Sequence, residues 1–361
     1  MSTGAISKSD QFLLAWLRIS HQNPVNSVKL FISFTKENMK ATGYGETLAS
    51  HDPLLSWNDT GPKKAIVEFL ERVTKEGSPD FVKPEDRIAT FDNDGTLWVE
   101  QPNYTQVTFA IDEVVALAPQ HPEWRDVEPF KSILGHDRAA LMRFSIQDFE
   151  KVVALTHSGM TGQHFQEIVA KWLAEAKHPR FKRPYTECVY QPMLELMQYL
   201  RNNGFKTYIV TGGGQEFVRA FAGQTYGMPP EQVVGSVSKV KYQYDKDGKP
   251  ELIRLPKVLL IDDKTGKPEG INMFIGRRPQ GAVGNSTGDR QMLEYTGAGD
   301  GAKLMMLVHH DDAKREYTYG SESKIGTFSD ALMAEAKKKG WIVISMKDDW
   351  KTIFPSTNTN D

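Results

Sequence analysis

"FDNDGTLW", residues 91–98, ends the short apolar run "RIATF" with two aspartates on either side of one asparagine, followed by Gly95 and Thr96. In open α/β sheets ligand sites form outside the carboxyl ends of the strands, and Asp92 stands at such an end. If the backbone stays extended, Asn93 points away from the side that Asp92 and Asp94 share, so both carboxylates face one ligand. A carboxylate there can ligate a hard cation such as Mg²⁺, attack as a nucleophile, or do both. Gly95 permits a sharp exit from the strand, and the Thr96 hydroxyl can stabilise the turn. An EF-hand is excluded, because its glycine belongs at position six of a twelve-residue loop, whereas Gly95 is fourth from Asp92. An Asp-rich turn without a ligand is the competing reading, and the companions of the stretch decide between the two.

Before it, "GPKKAIVEFLERVTKEG" carries helix signals: Pro62 near the start, Ile66, Phe69, Leu70 and Val73 at helical spacing, and Gly77 as a stop. After it, "TFAIDEVVALA", "DFEKVVALTHSGM" and "FQEIVAKWLAEA" repeat the helical period with little strand character, which predicts an all-helical insertion over 104–178. "PMLELMQYLRNNG" then reads as a helix closing on Gly204, and "FKTYIVTGGG" as a strand. "VVGSVSKVKYQYD" and "ELIRLPKVLLID" flank the turn "KDGK" as a hairpin. "GAVGN", "KLMMLVHH" and "WIVISM" read as further strands, separated by the helices "DRQMLEYTG" and "DALMAEAKKKG". Alternation of this kind predicts an α/β fold, a Rossmann-like, mainly parallel sheet covered on both faces. The expected division is an appendage over 1–60, an α/β core over 61–103 and 179–355, the helical insertion, and a polar tail over 356–361.

Lys and Arg number 44 against 46 Asp and Glu, and no basic block or aromatic-basic alternation occurs, so the electrostatic case for nucleic-acid binding is absent. Any anionic ligand is held locally. With 39% hydrophobic and 25% charged residues the chain reads as globular and not disordered. The single cysteine, Cys188, excludes an internal disulfide framework and is compatible with a reducing compartment. No stretch approaches the roughly 18 apolar residues of a membrane span. "FLLAWL" is too short for one, with Lys8, Asp10 and Arg18 close by, and no secretory pattern opens the chain, which makes the cytoplasm the expected compartment.

With these elements in place, the sequence resembles the haloacid dehalogenase superfamily, whose opening motif, Asp-x-Asp-x-Thr at a strand end, is met by "DNDGT". The second motif of that superfamily, a Ser or Thr ending an apolar strand, falls on Thr211 in "KTYIVTGG", where the following glycines leave backbone N–H groups open to a phosphate. For the lysine of the third motif "DDKTGKPEGI" offers Lys264 and Lys267, of which Lys267 is the more similar, since a helix-like stretch with Ile271 and Phe274 follows it. The fourth, acidic motif is met by "AVGNSTGDRQML" with one departure: Asn285 stands where Asp is usual, and Asp289 supplies the acid. Asp262 and Asp263 precede the lysine instead of following it and are assigned to a turn. The insertion resembles the small helical cap of phosphoserine-phosphatase-like members.

The resemblance implies hydrolysis of a small phosphorylated substrate. Asp92 would be the nucleophile and Asp94 the general acid and base, with Thr211, Gly212 and Lys267 on the phosphate. Mg²⁺ would be held by Asp92, the Asp94 carbonyl and Asp289, with Asn285 contributing its carbonyl or a bridging water. Asp94 argues against a dehalogenase, which needs no acid for a halide. A phosphomutase and a phosphate-binding module with impaired catalysis are the alternatives, the second suggested by Asn285. Three further stretches have two readings each: "GRRP" (276–279) as phosphate-binding guanidiniums or a solvated turn, "HHDD" (309–312) as site-lining or structural, and Trp98 as core or substrate-facing.

Overall fold

The computed structural model describes residues 52–356, apart from 138–139, 141–143 and 145. Most of the expected appendage and the end of the polar tail lie outside the described residues. The compact unit considered below begins at Pro53.

Seven strands form one sheet: β1 (Ile88–Phe91), β2 (Lys206–Gly214), β3 (Val233–Tyr244), β4 (Pro250–Leu260), β5 (Gly281–Gly284), β6 (Leu304–His309) and β7 (Ile342–Ser345), in the order β4-β3-β2-β1-β5-β6-β7. All neighbours pair in parallel except β3 and β4, the expected hairpin. All four residues of β1 are buried, as a central parallel strand covered on both faces requires. From β1 the chain steps outward to β4 on one side and then crosses to β5 on the other. The order therefore reverses at β1, and the crevice at the carboxyl ends of β1 and β5 is where α/β sheets bind ligands.

One sheet face is covered by a large apolar cluster that includes Phe91, Trp98, Leu196 and Phe217, the other by a cluster around Val210, Ala282, Leu293 and Leu307. Helix α1 (Gly61–Thr74) buries Ile66, Phe69, Leu70 and Val73, the positions its period marks. The core also reaches back to residues the sequence reading gave to the appendage. Leu54 and Trp57 are fully buried, and the Trp57 indole N–H donates to the Pro192 carbonyl at 2.9 Å. Trp57 also meets Trp350 edge-on, an anchor built from single aromatics with no periodic pattern around them.

Between β1 and β2 the chain runs through α2 (Thr105–Leu117), α3 (Ile146–Thr156) and α4 (Gly162–Glu175), with no strand there among the described residues. These helices divide their apolar residues. Phe109, Phe165, Val169 and Leu173 join the main core, whereas Ala110, Val114 and Val152 form a separate small cluster with Trp124, Phe130 and Ile133. Helix α5 (Gln191–Asn202) leads into β2, and α6 (Gln215–Tyr226), α7 (Gly266–Gly270), α8 (Arg290–Gly297) and α9 (Asp330–Lys339) lie between the later strands. No helix among the described residues is long and apolar enough to cross a membrane.

Candidate active site

At the end of β1 the Asp92 N–H donates to the Val283 carbonyl of β5 at 2.9 Å, fixing the first carboxylate over the crevice. Asn93 is fully buried and turns to the opposite side, where its Oδ1 accepts from the Tyr226 hydroxyl at 3.1 Å. Its carbonyl accepts the N–H groups of Thr96, Leu97 and Trp98, closing a tight turn through Gly95, whose φ is +74°. Glycine is required there on two counts, since a Cβ would be strained and would overlap the Asn285 amide nitrogen and a Glu100 oxygen. Asp94 is held by the Trp98 indole, which donates to its Oδ1 at 2.9 Å while stacking on Phe221. Trp98 is thus core and positions a site residue. Burial raises the Asp94 carboxyl above the usual carboxylate range.

Lys267 lies near the start of α7, only 2% exposed, with its ammonium donating to Asp92 Oδ1 and Asp289 Oδ1 at 2.6 Å each and to the Val210 carbonyl at 2.8 Å. Lys264 is exposed, so of the two lysines Lys267 alone joins the cluster. Burial disfavours its ammonium, but the Asp289 and Asp92 charges outweigh that and hold it protonated. Burial and the Asp289 charge push the Asp92 carboxyl upward, against Lys267. The Asp289 Oδ2 accepts the backbone N–H groups of Asn285 and Ser286 at 3.0 Å each. Both oxygens of Asp289 are therefore engaged by protein donors, which ties it to the lysine and to its own loop.

Thr211 is buried at the end of the regular part of β2, and its Oγ1 accepts the Gly213 N–H at 3.1 Å. A bulge between Thr211 and Gly214 breaks the pairing with β3 and opens the glycine run, where Gly212 is exposed. A Cβ on Gly213 would stand 3.4 Å from Thr211 Oγ1 and 3.6 Å from Asp94 Oδ2, so the second motif adjoins the first. Gln106, near the start of α2, reaches the same loop and accepts the Gly214 N–H at 2.7 Å. Its amide nitrogen lies 3.1 Å from Nε2 of His157, whose pKa burial pushes down to about 3.

Asn285 ends β5 opposite β1. Its Oδ1 accepts from the Thr96 hydroxyl at 3.1 Å, and its amide nitrogen donates to Glu100 Oε1 at 2.6 Å. Glu100, 2% exposed, also accepts from the Tyr319 hydroxyl at 2.6 Å, and burial raises its carboxyl well above the usual range. Behind Gly95, His310 Nε2 sits 2.7 Å from the Gly95 carbonyl, and its Nδ1 sits 3.0 Å from Glu316. His310 thus buttresses the loop, while His309 pairs with Asp311. "GRRP" is a structural turn: Arg277 pairs with Asp86, and Arg278 lies over the Tyr295 ring. Asp262 is more than a turn residue. It is fully buried, both oxygens lack a hydrogen-bond partner among the described residues, and burial pushes it up to about 7.

The sequence reading missed Glu100, Gln106, His157 and Tyr319, and left His310 open between site-lining and structural. "WVEQP" carries no signal that Glu100 would be buried, and the contacts that join Gln106 to His157 and Glu100 to Tyr319 span 51 and 219 positions of the chain.

The donors around the crevice are hard oxygens, the set that suits Mg²⁺. They comprise the Asp92 carboxylate, the Asn285 amide oxygen and the Asp94 carbonyl, which accepts no hydrogen bond among the described residues. No three His, Cys, Asp or Glu side chains among the described residues converge on one cation position. A cation here would rely on the neutral carbonyls as well.

The description haloacid dehalogenase-like hydrolase matches residues 89–294, more than half of the chain, and the protein belongs to that family. Among solved structures it is similar to a conserved functionally unknown protein from Anaerococcus prevotii, at 16% identity over 78% of this chain and 91% of that one, with a TM-score of 0.47. A protein of unknown function from Bordetella pertussis follows, at 14% identity over 72% and 97%, with a TM-score of 0.44. A phosphoserine phosphohydrolase-like protein from Francisella tularensis shares 18% identity over 70% and 98%, with a TM-score of 0.34. Likeness at these levels carries no argument about activity. No curated protein matches the sequence significantly.

Proposed function

We propose that the protein is a Mg²⁺-dependent phosphomonoester hydrolase working through an aspartyl-phosphate. The observation that carries this reading is the convergence at one crevice of Asp92, Asp94, Thr211 and Lys267, with Lys267 joined to Asp92 and Asp289 at 2.6 Å. Asp92 attacks phosphorus as the ester P–O bond breaks, and Asp94 delivers its proton to the leaving oxygen. In the second half Asp94 takes a proton from water, which attacks the aspartyl-phosphate and regenerates Asp92. Thr211 and the Gly212 N–H hold the phosphoryl oxygens, and Lys267 adds positive charge beside the nucleophile. Asp94 suits both duties because burial keeps its proton to higher pH than an exposed aspartate does.

Mg²⁺ fits at Asp92, the Asp94 carbonyl and Asn285, and when bound it would supply positive charge that offsets repulsion between nucleophile and phosphate. Asp289, expected from sequence to be a ligand, acts on this reading through Lys267 and the Asn285 backbone instead. Residues 104–178 serve as a cap over the crevice. Gln106 at the Gly214 N–H and Gln166, donating to Glu216 of α6 at 2.5 Å, are the contacts that support docking of these helices at the site. A small phosphorylated metabolite is the substrate class. The one thiol, Cys188, is buried and free, with its pKa pushed up to about 12 by burial, and the cytoplasm remains the compartment of this reading.

The test is turnover of a panel of phosphorylated metabolites and an aryl phosphate with Mg²⁺, with EDTA, and after Mg²⁺ is restored. Turnover should stop with EDTA and return with the metal. Tight binding of phosphorylated ligands without any turnover would favour the binding-module reading, with Asn285 the first residue to revert to Asp.

A further inference from the structure

We propose that Glu100 supplies the negative charge that position 285 lacks, so that Glu100 and Asn285 together act as a second anionic leg of the cation site beside Asp92. This rests on the phosphatase reading and assigns a role to a residue outside its four motifs. The geometry has a donor and acceptor logic. A carboxylate only accepts hydrogen bonds, so the Asn285 amide must turn its NH₂ toward Glu100 Oε1 at 2.6 Å and its oxygen toward Thr96 at 3.1 Å. An aspartate at 285 would set two carboxylates against each other at that distance. Asparagine is therefore the residue that position 285 needs once Glu100 is in place.

Glu100 is placed by the same turn that places Asp94. The Val99 N–H donates to the Cys188 carbonyl at 3.1 Å, which anchors the chain as it leaves the turn, and Glu100 then folds back against Gly95. Its carboxylate accordingly lies beside the Asp94–Gly95 peptide. Burial favours the neutral acid, whereas two donors, Asn285 and Tyr319, address the same oxygen and favour the ionised form, which a cation bound nearby would stabilise further. Held in this way, the carboxylate polarises the Asn285 amide, and the amide oxygen keeps a lone pair beyond the one used by Thr96. Glu100 is thus a positioning and charge-supplying residue that acts through Asn285.

The experiment measures Mg²⁺ binding calorimetrically on the metal-free full chain, alongside circular dichroism to establish folding. Glu100→Gln keeps an oxygen for both donors and removes only the charge. It should remain folded and bind Mg²⁺ roughly 10 to 100 times more weakly. Adding Asn285→Asp to Glu100→Gln moves the charge back to 285 and reverses the hydrogen bond, with Tyr319 now accepting, and should restore affinity to within about threefold. A folded Glu100→Gln protein with the affinity of the parent overturns the proposal while leaving the phosphatase reading standing. If the parent binds no Mg²⁺, both fail. If Glu100→Gln does not fold, the double variant decides: near-parental affinity supports the charge swap, and a loss beyond about tenfold overturns it.

Discussion

Lys267, wedged between two carboxylates, and Trp124, stacked between the His121 and Phe130 rings, anchor two regions of the molecule by different forces. The first region is the floor of the crevice, where an ammonium and two carboxylates are buried together beside the carboxyl ends of β1 and β5. Such a cluster is rigid because each charge is costly to leave unpaired. The second is the outer part of the helical segment, whose small apolar cluster is separate from the main core. Apolar contacts are non-directional and tolerate adjustment far better than a buried ion triad does. The floor is suited to fixed chemistry and the outer helices to recognition.

The sharpest break of this comparison is Asp92→Asn. The amide keeps the shape of the side chain and an acceptor for Lys267 but is no nucleophile, so turnover should fall by roughly 10⁴-fold or more while circular dichroism is unchanged. Turnover within tenfold of the parent would remove the covalent mechanism. Asp94→Asn comes next. It should cost roughly 10²- to 10⁴-fold on alkyl phosphates and much less on an aryl phosphate, whose leaving oxygen needs little protonation. Equal losses on both substrates would argue against Asp94 as the acid.

The two regions were unequally legible in the sequence. Much of the floor could be read because Asp92, Thr211 and Asn285 each end an apolar strand run, so local pattern and site coincide there, whereas Lys267 lies in a short helix and was singled out by its place after the second motif. The helical segment could be read as helix, but not as divided, because Phe109 and Ala110 are neighbours in sequence that serve different cores. Glu100 and Tyr319 were illegible for a third reason. Their burial is created by partners on other loops, and an isolated glutamate or tyrosine carries no period. The same holds for Trp57, which joins the core through Pro192 and Trp350.

His157 lies where the two regions meet, against Phe109 and Phe165. Its pKa is pushed from the ordinary 6.5 to about 3 by burial, with the Arg254 charge adding to the effect. As the pH falls, the unfolded chain therefore takes up this proton first, and stability present above about pH 6.5 is progressively lost below it. Between pH 7 and 5 the loss from this group is about 2 kcal/mol. Thermal unfolding of His157→Gln should show a shallower decline over that interval than the parent, and an identical decline would show that His157 does not set the acid limb.

The smallest effect on chemistry should come from Trp124→Ala. Trp124 is 4% exposed, and truncating a buried tryptophan typically costs 3–5 kcal/mol, here drawn from the small cluster that Ala110, Val114 and Val152 share. If that cluster shapes the recognition surface, the loss should loosen the outer helices first and leave the ion triad intact. Hydrogen exchange should rise in α3 and in the outer half of α2, and stay unchanged in β1 and β5. Discrimination among phosphorylated metabolites should flatten, while cleavage of a small aryl phosphate, which needs little from those helices, should stay within about threefold of the parent. Retained discrimination in a protein whose α3 exchanges freely would move recognition to the inner contacts, Gln106 first among them. A matching loss of aryl phosphate cleavage would show instead that the outer cluster supports the floor, and the division between the two regions would fail.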